Sequence, residues 1–293
     1  MKKPLVIYSP WHLQQSDTMP PLGQFGWRFL AEGDSWFSIG ALNPAKNSNL
    51  LFEMEFEQSA CAVNCASPGD TLRRMSQINT DRNYVALLAG RTARLWDGIL
   101  LSCGGNDMID ALGVHGPGIA PDKRLLLEST EWGDVALGAR RYLSDAGWQT
   151  FCTYLKANLD LVIALRERGP SQGAPIFLHG YAVPMPRPAG AGLGAGPWLL
   201  PAVQAYSIPE DDYAGVAREL ISRLATLLAE CAADNARFPN LHFFDTTQIE
   251  IEPAQRGADA ESGDWINEIH LTWRGCQKLA VPWGEAIEKV LMP

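Results

Sequence analysis

The stretch Glu32-Gly33-Asp34-Ser35-Trp36-Phe37 constrains this chain most, because it places a serine directly after a predicted strand. Residues 28–34 are mostly apolar and predict the first core strand. Such a strand fixes the backbone ahead of the serine, the glycine permits a tight exit, and a helix that begins there favours negative charge. Ser35 is therefore a candidate nucleophile.

Composition limits the classes of function that this serine could serve. The 293 residues are 46% hydrophobic and 19% charged, as in an ordinary globular protein. The formal net charge is -9 and no Lys/Arg cluster stands out, which argues against nucleic acid and anionic membrane surfaces as partners. No apolar run is long enough for a signal-peptide core or a membrane span. We expect a soluble cytoplasmic protein without membrane insertion.

The six cysteines predict reduced, mostly buried thiols, because the chain is large and shows no secretion signal. Cys61 and Cys65 lack nearby His or Cys partners, so a zinc site is not expected there.

Strand patterns alternate with helix patterns along the chain. Strands are predicted at 28–34, 60–65, 97–103, 174–180 and 241–245, and helices at 49–58, 84–95, 148–165, 213–231 and from Thr272 onward. This alternation predicts a parallel α/β sheet with right-handed crossovers, in which ligands bind at the carboxyl ends of the strands. We expect residues 1–293 to form one domain, with an irregular leader over 1–26 and insertions at 113–146, a candidate lid, and 184–209.

Three candidate residues follow predicted strands and should gather at one edge of the sheet: Ser35, Gly69 and Asn106. Serine hydrolysis needs a nucleophile, a base and donors for the oxyanion. The candidate donors are the backbone N–H groups of Ser35 and Gly69 and the side chain of Asn106. The candidate base is His270, which lies just before the last predicted helix.

Four short motifs, in order, resemble the conserved blocks of the SGNH (GDSL-type) hydrolase family. They are Gly33-Asp34-Ser35, Ser67-Pro68-Gly69-Asp70-Thr71, Gly104-Gly105-Asn106-Asp107 and Asn267-Glu268-Ile269-His270. Each is weak alone, but together they span most of the chain. The first block, with Trp36-Phe37 after the serine, also resembles a subset of bacterial members.

The resemblance implies a flavodoxin-like three-layer α/β/α sandwich with a mainly parallel, five-stranded sheet. It implies a serine esterase (a carboxylesterase or acetylesterase) that acts through an acyl-enzyme on a small-molecule ester, with a short-chain or carbohydrate-borne acyl group. Ser35 would attack and His270 would act as base and then as acid. Ser35, Gly69 and Asn106 would form the oxyanion hole. No metal or organic cofactor is implied.

One position departs from the family pattern. An aspartate usually lies three residues before the histidine, where this chain has Asn267. Asn267 can accept a hydrogen bond but carries no charge, so its place in a catalytic triad is open. Asp264 and Glu268 are alternative acid partners, and a Ser–His dyad oriented by a backbone carbonyl is another arrangement.

Other interpretations stay open beside the esterase. A catalytically weakened protein that only binds its ligand would follow if the missing aspartate abolished the chemistry. A metal-dependent phosphoesterase would need a cluster of carboxylate and His ligands, which these motifs do not supply. His179 follows the fourth predicted strand, and we expect it to bond to backbone. Asp34 and Asp107 are expected to hold loops by hydrogen bonds.

Overall fold

The computed structural model of the protein describes residues 2–14, 19–39, 47–77, 79–192 and 194–292. Its strands are, in chain order, β1 (Lys3–Pro4), β2 (Val6–Tyr8), β3 (Trp27–Gly33), β4 (Glu55–Phe56), β5 (Ala60–Asn64), β6 (Gly98–Ser102), β7 (Ile176–His179) and β8 (Leu241–Phe244). Six of them form one sheet in the order β2-β5-β3-β6-β7-β8, and all neighbouring pairs in it are parallel. β1 and β4 form a separate antiparallel pair.

The central strands of the sheet are buried on both faces. All five residues of β6 and all four of β7 are buried. Runs of this kind, apolar without alternation, are typical of a parallel sheet between two layers of helices. The α/β sandwich with a parallel sheet flanked by helices is therefore confirmed.

The α-helices found among the described residues vary widely in length. They are α1 (Ser35–Ser38), α2 (Leu72–Met75), α3 (Arg82–Ala89), α4 (Gly105–Leu112), α5 (Asp145–Arg168), α6 (Leu200–Ala205), α7 (Tyr213–Ala233) and α8 (Trp273–Leu291). α5 packs against α2, α3 and α4, and α7 packs against β8. α8 begins after Thr272, whose side chain accepts a hydrogen bond from the Gly275 N–H, as the sequence predicts.

Two sequence predictions near the N-terminus are wrong. The sheet has six strands rather than five, because Val6–Tyr8, inside the predicted irregular leader, pairs with β5 at the sheet edge. Residues 49–58 do not form a helix but a turn followed by β4. The cause is local: the Asn49 side chain accepts from the Phe52 N–H and donates to the Ile39 carbonyl, so it offers the backbone a turn instead.

The two predicted insertions have different surroundings. The segment 113–146 contains the 3₁₀ helix Pro121–Lys123, which packs against α5, and the 3₁₀ stretch Val135–Tyr142, which is kinked at Gly138 and packs against α7. The segment 184–209, whose residue 193 lies outside the described residues, contains α6. The predicted helix over 84–95 is shorter than expected, since α3 ends at Ala89.

All six cysteines are free thiols, and four of them are buried. Across the described ranges, none of the helices combines the length and the apolar character that crossing a bilayer requires.

Candidate active site

The first motif forms the turn between β3 and α1. Ser35 is the first residue of α1, and the Asp34 side chain caps the helix by accepting from the Trp36 N–H at 2.9 Å. Gly33 is needed for close packing rather than for a left-handed turn. A Cβ at this position would lie 2.6 Å from the Cβ of Ser102 on β6 and 2.9 Å from its carbonyl oxygen. The glycine thus lets β3 deliver Ser35 directly beside the end of β6.

Asp34 holds three strand ends together, as expected of a residue that fixes loops. Its carboxylate accepts from the Ser102 hydroxyl at 2.8 Å and from the Tyr181 hydroxyl at 2.6 Å, in addition to the Trp36 N–H. Burial raises the pKa of the Asp34 carboxyl to about 6, although these three donors favour the charged form. Tyr181, which follows β7, was not singled out by sequence analysis, because a tyrosine after a strand carries no signal by itself.

Ser35, His270 and Asn267 form a continuous hydrogen-bonded chain in which all three side chains are buried. The Ser35 Oγ lies 2.8 Å from Nε2 of His270, and the His270 Nδ1 lies 2.9 Å from Oδ1 of Asn267. The structure therefore brings together the predicted nucleophile, the predicted base and the residue in the usual aspartate position.

The backbone around Asn267 decides which tautomer of His270 is present. Oδ1 of Asn267 also accepts from the N–H groups of Ile269 at 3.1 Å and His270 at 2.9 Å. Because backbone N–H groups can only donate, the atom that faces them must be the amide oxygen. The Nδ1 atom of His270 must then carry a proton, which leaves Nε2 unprotonated in the neutral ring and able to accept the Ser35 hydroxyl proton.

The electrostatic surroundings of His270 favour the neutral ring. Burial lowers the pKa of His270 to about 3, and its partner Asn267 supplies no negative charge to oppose this. The Trp198 ring stands perpendicular to the imidazole at a centroid distance of 5.2 Å and adds to the apolar environment. His270 can accept a proton here, but the resulting imidazolium lacks a carboxylate partner.

The two alternative acid partners are bonded elsewhere. Asp264 accepts from the Glu252 N–H at 2.7 Å and pairs with the Lys278 ammonium at 2.6 Å. Glu268 is fully buried, and it accepts from four backbone N–H groups, those of Arg187, Trp198, Leu199 and Leu200. Neither carboxylate is hydrogen-bonded to His270, whose Nδ1 contacts the side chain of Asn267 instead.

The second and third motifs meet at the same edge of the sheet. The Ser67 N–H donates to the Gly33 carbonyl at 3.0 Å, and the Asn106 side chain donates to the Asp70 carbonyl at 3.0 Å. Gly69 lies in the turn between those bonds, is exposed, and has a φ of 81°, which favours glycine. Within the described residues, no acceptor pairs with the N–H groups of Ser35 or Gly69.

A small apolar cleft, open to solvent, lies beside the serine. Ser35 and Asn106 both line it, whereas Gly69 does not. Its apolar walls include Trp36, Met108, Ile109, Tyr181, Leu199 and Ile221. Leu199 belongs to the 184–209 segment, while the lining described includes no residue of 113–146.

His179 does not reach the cleft as a substrate contact. Its ring is buried, stacks on Trp36 at a centroid distance of 5.8 Å, and bonds through Nδ1 to the Gly180 carbonyl at 2.6 Å. Burial lowers the pKa of His179 to about 4. The expected backbone-bonded role is the one observed. Asp107 likewise holds a loop, since it accepts from the Leu72 N–H at 3.0 Å.

No protein-family model matches the chain, and no curated protein matches it either. Several solved structures are similar over most of its length. An extracellular lipase from Streptomyces rimosus is 16% identical with a TM-score of 0.47, over 89% of this chain and 99% of the lipase. Phospholipase A1 from Streptomyces albidoflavus NA297 is 14% identical, with a TM-score of 0.42, over 89% and 98%. The aryl esterase of M. smegmatis is 12% identical, with a TM-score of 0.42, over 90% and 99%.

Proposed function

We propose that this protein is a serine esterase of the SGNH type that hydrolyses a carboxylic ester through an acyl-enzyme. The observation that carries the proposal is the buried chain from Ser35 Oγ through His270 to Asn267, with the tautomer of His270 fixed so that Nε2 accepts the serine proton. A serine bonded to an oriented base beside a cleft is the arrangement that nucleophilic catalysis requires.

In the first half-reaction, Ser35 Oγ attacks the ester carbonyl while His270 Nε2 takes its proton. The oxyanion of the tetrahedral intermediate is held by the N–H groups of Ser35 and Gly69 and by the Asn106 side chain. The N–H groups of residues 35 and 69, which have no acceptor in the described part of the chain, support this assignment. Asn106 uses one of its amide protons on Asp70, and its other proton can turn to the oxyanion. His270 then protonates the departing alcohol.

In the second half-reaction, His270 activates a water molecule that attacks the acyl-enzyme, and Ser35 leaves with its proton restored. The same oxyanion donors act in both steps. Each of these roles belongs to a residue of the chain itself.

The cleft supports an uncharged acyl group as the substrate portion next to Ser35. Its walls are largely apolar and include neither Lys nor Arg in the described lining, so an anionic acyl group would find no partner there. We propose a short-chain acyl group, carried on a small alcohol or a carbohydrate. Rates on p-nitrophenyl esters of increasing acyl length would define the chain that the cleft accepts.

The deciding test is Ser35→Ala, assayed on a short p-nitrophenyl ester. We expect a loss in kcat on the order of 10⁴ to 10⁶, because the nucleophile is removed. Ser76→Ala, which changes a serine away from the site, is the matched control and should keep full activity. Far-ultraviolet circular dichroism would verify that both variants fold. Hydrolysis that survives in folded Ser35→Ala protein would refute the proposal.

A second function is favoured by one observation, the neutral Asn267 beside a histidine whose pKa burial lowers to about 3. A protein with so weak a base could bind an ester without turning it over. A fluorophosphonate probe separates the two functions, since it labels a serine only when that serine is activated. Labelling of wild-type protein that disappears in Ser35→Ala supports the esterase, and folded but unlabelled wild-type protein supports the binding protein.

A further inference from the structure

Three carboxylates that take no part in the Ser35–His270 hydrogen bonds lie close together at the second motif, to which Asp70 belongs. Glu32 lies on β3, Asp70 in the loop before α2, and Asp81 at the N-cap of α3. One carboxylate oxygen from each residue lies within 4.8 Å of the other two. Glu32 and Asp81 are buried and Asp70 is half-buried. The group is thus enclosed, with Asp70 on its solvent side.

Backbone N–H groups satisfy only some of the oxygens of this group. Oε1 of Glu32 accepts from the Gly33 N–H at 2.7 Å, but the fully buried Oε2 has no partner within the described residues. Burial, together with contact with the Asp81 carboxyl, raises the pKa of Glu32 well above its usual range. The exposed Arg74 acts on Asp70, where burial still dominates and raises the pKa.

A second buried polar group without a partner belongs to the same region. Tyr84, on α3, is fully buried, and its hydroxyl has no hydrogen-bond partner among the described residues. Its backbone N–H donates to Asp81 at 2.8 Å. Burial and then the charge of the Glu32 carboxylate are the largest causes that raise the pKa of this hydroxyl. Buried polar atoms are normally satisfied, so Oε2 of Glu32, which has no partner among the described residues, has room for a ligand.

We propose that Glu32, Asp70 and Asp81 bind one calcium ion. Calcium takes oxygen ligands at 2.3–2.6 Å in a flexible geometry, which suits three carboxylates whose oxygens lie within 4.8 Å of one another. Magnesium requires a stricter octahedral geometry and usually keeps several waters, so it suits a cage of protein carboxylates less well. Half-buried Asp70 provides the path of entry, and water completes the coordination.

The ion would have a structural effect on the esterase site rather than a role in the chemistry. Glu32 lies three residues before Ser35, and Asp70 follows Gly69 and is held by Asn106 through its carbonyl. A cation between them would tie the turn that carries Gly69 to the strand that carries the serine. It would also remove the repulsion among three clustered carboxylates.

Calcium binding is tested by isothermal titration calorimetry on chelator-stripped, full-length protein, with magnesium as a parallel titrant. We expect one calcium per chain, tighter than magnesium, and a rise in melting temperature that saturates with calcium. Glu32→Gln and Asp70→Asn should each weaken calcium binding at least about tenfold, because each removes a charged ligand. Asp110→Asn, an exposed change of the same charge, should bind like the wild type.

The outcomes separate this site from the proposed activity. Ser35→Ala should bind calcium as the wild type does, so binding is measured whether or not the esterase proposal holds. Because Asp70 is half-buried, Asp70→Asn should fold, so the loss of calcium binding can still be measured if Glu32→Gln does not fold. Absence of calcium binding by folded wild-type protein, or binding that Glu32→Gln and Asp70→Asn leave unchanged, would overturn the site and indicate a proton shared by Glu32 and Asp81.

Discussion

In the proposed site, Asn267 takes the place of a triad aspartate without its charge. Its Oδ1 atom receives the Nδ1 proton of His270 at 2.9 Å and is itself fixed by two backbone N–H groups. Orientation and charge stabilisation, which an aspartate supplies together, are therefore separated in this site. The consequence concerns the base: His270 is held in the productive tautomer, but its protonated form is not favoured.

Asn267→Asp should shift the pH dependence of hydrolysis. In the wild type, His270 has a pKa of about 3, so the acid limb of kcat/KM should lie far below pH 6.5 and activity should persist into acid solution. A carboxylate at 267 raises the pKa of His270, so the limb should move to higher pH. The rate at neutral pH should rise, by at most about 10⁴, the loss that the reverse change causes in a complete triad.

The pH profile of kcat/KM for wild type and variant on one p-nitrophenyl ester checks this expectation. Asn267→Ala serves as the comparison, because it removes the orienting oxygen without adding charge and should lose activity at every pH. An unshifted acid limb in Asn267→Asp would show that position 267 does not act on His270.

Single residues of the candidate site could be predicted from the sequence where chemistry restricts the residue type. Ser35, His270, Asn106 and Asn267 were identified because their motifs occur in order. Their placement in one site is what the structure adds, and their roles stay predictions. Glu32 and Tyr181 could not be found this way, since their positions depend on which elements pack together. The one available signal was the charge of Glu32 at the end of an otherwise apolar strand.

At the scale of elements, Glu268 connects the 184–209 segment to the loop that carries His270. Its fully buried carboxylate accepts from the N–H groups of Arg187, Trp198, Leu199 and Leu200, the last three at the start of α6. The Arg187 guanidinium in turn donates to the Asn267 carbonyl at 2.7 Å. Glu268 and Arg187 therefore position both Leu199, in one wall of the cleft, and the loop that carries His270.

Glu268→Ala should weaken both stability and substrate binding. The change leaves four N–H groups, two buried and two half-buried, without this acceptor, and we expect the free energy of unfolding to fall by about 2–4 kcal/mol. KM should rise, because Leu199 lines the cleft and its N–H would lose the hydrogen bond to Glu268. Urea unfolding and steady-state kinetics measure the two effects.

Glu261→Ala is the control for that variant, since it makes the same substitution at an exposed position of the same loop. Glu261→Ala should have the same free energy of unfolding and the same KM as the wild type, within experimental error. A Glu268→Ala protein with unchanged stability and unchanged KM would contradict the anchoring role.

The elements that sequence analysis predicted well are those whose burial repeats regularly. β6 is apolar throughout, and α5 and α7 have long amphipathic patterns that tertiary packing reinforces. The errors occur where short-range hydrogen bonds determine the local structure or where a strand is very short. Asn49 turns the chain at a segment whose leucines suggested a helix, and β2 is a three-residue edge strand that contains too little sequence to show a pattern.

For the whole molecule, buried histidines make stability depend on pH. The pKa of His179 is about 4 in the folded protein, below the ordinary value of 6.5. Between those two pH values the unfolded chain binds a proton that the folded protein does not. The free energy of unfolding therefore falls as the pH decreases through this range, by about 3 kcal/mol for this residue.

His179→Gln should remove that contribution while its amide still donates to the Gly180 carbonyl. We expect the difference in unfolding free energy between wild type and variant to shrink by about 1.4 kcal/mol per pH unit from pH 6.5 to 4. Urea unfolding of both proteins across that range measures it. His115→Gln makes the same change at an exposed histidine and should run parallel to the wild type. A constant difference for His179→Gln would contradict the prediction.

The hydrogen bond between Ser35 and His270 joins residues 235 positions apart in the chain. Contacts of such separation form late in folding, because most of the intervening chain must first be ordered. Helices and neighbouring βα units can form before His270 reaches Ser35. Recovery of catalysis after denaturation would therefore follow the last docking step of the C-terminal segment and lag behind recovery of helical signal. In this topology the proposed catalysis would report completion of the entire fold, and partly folded chains would contribute none of it.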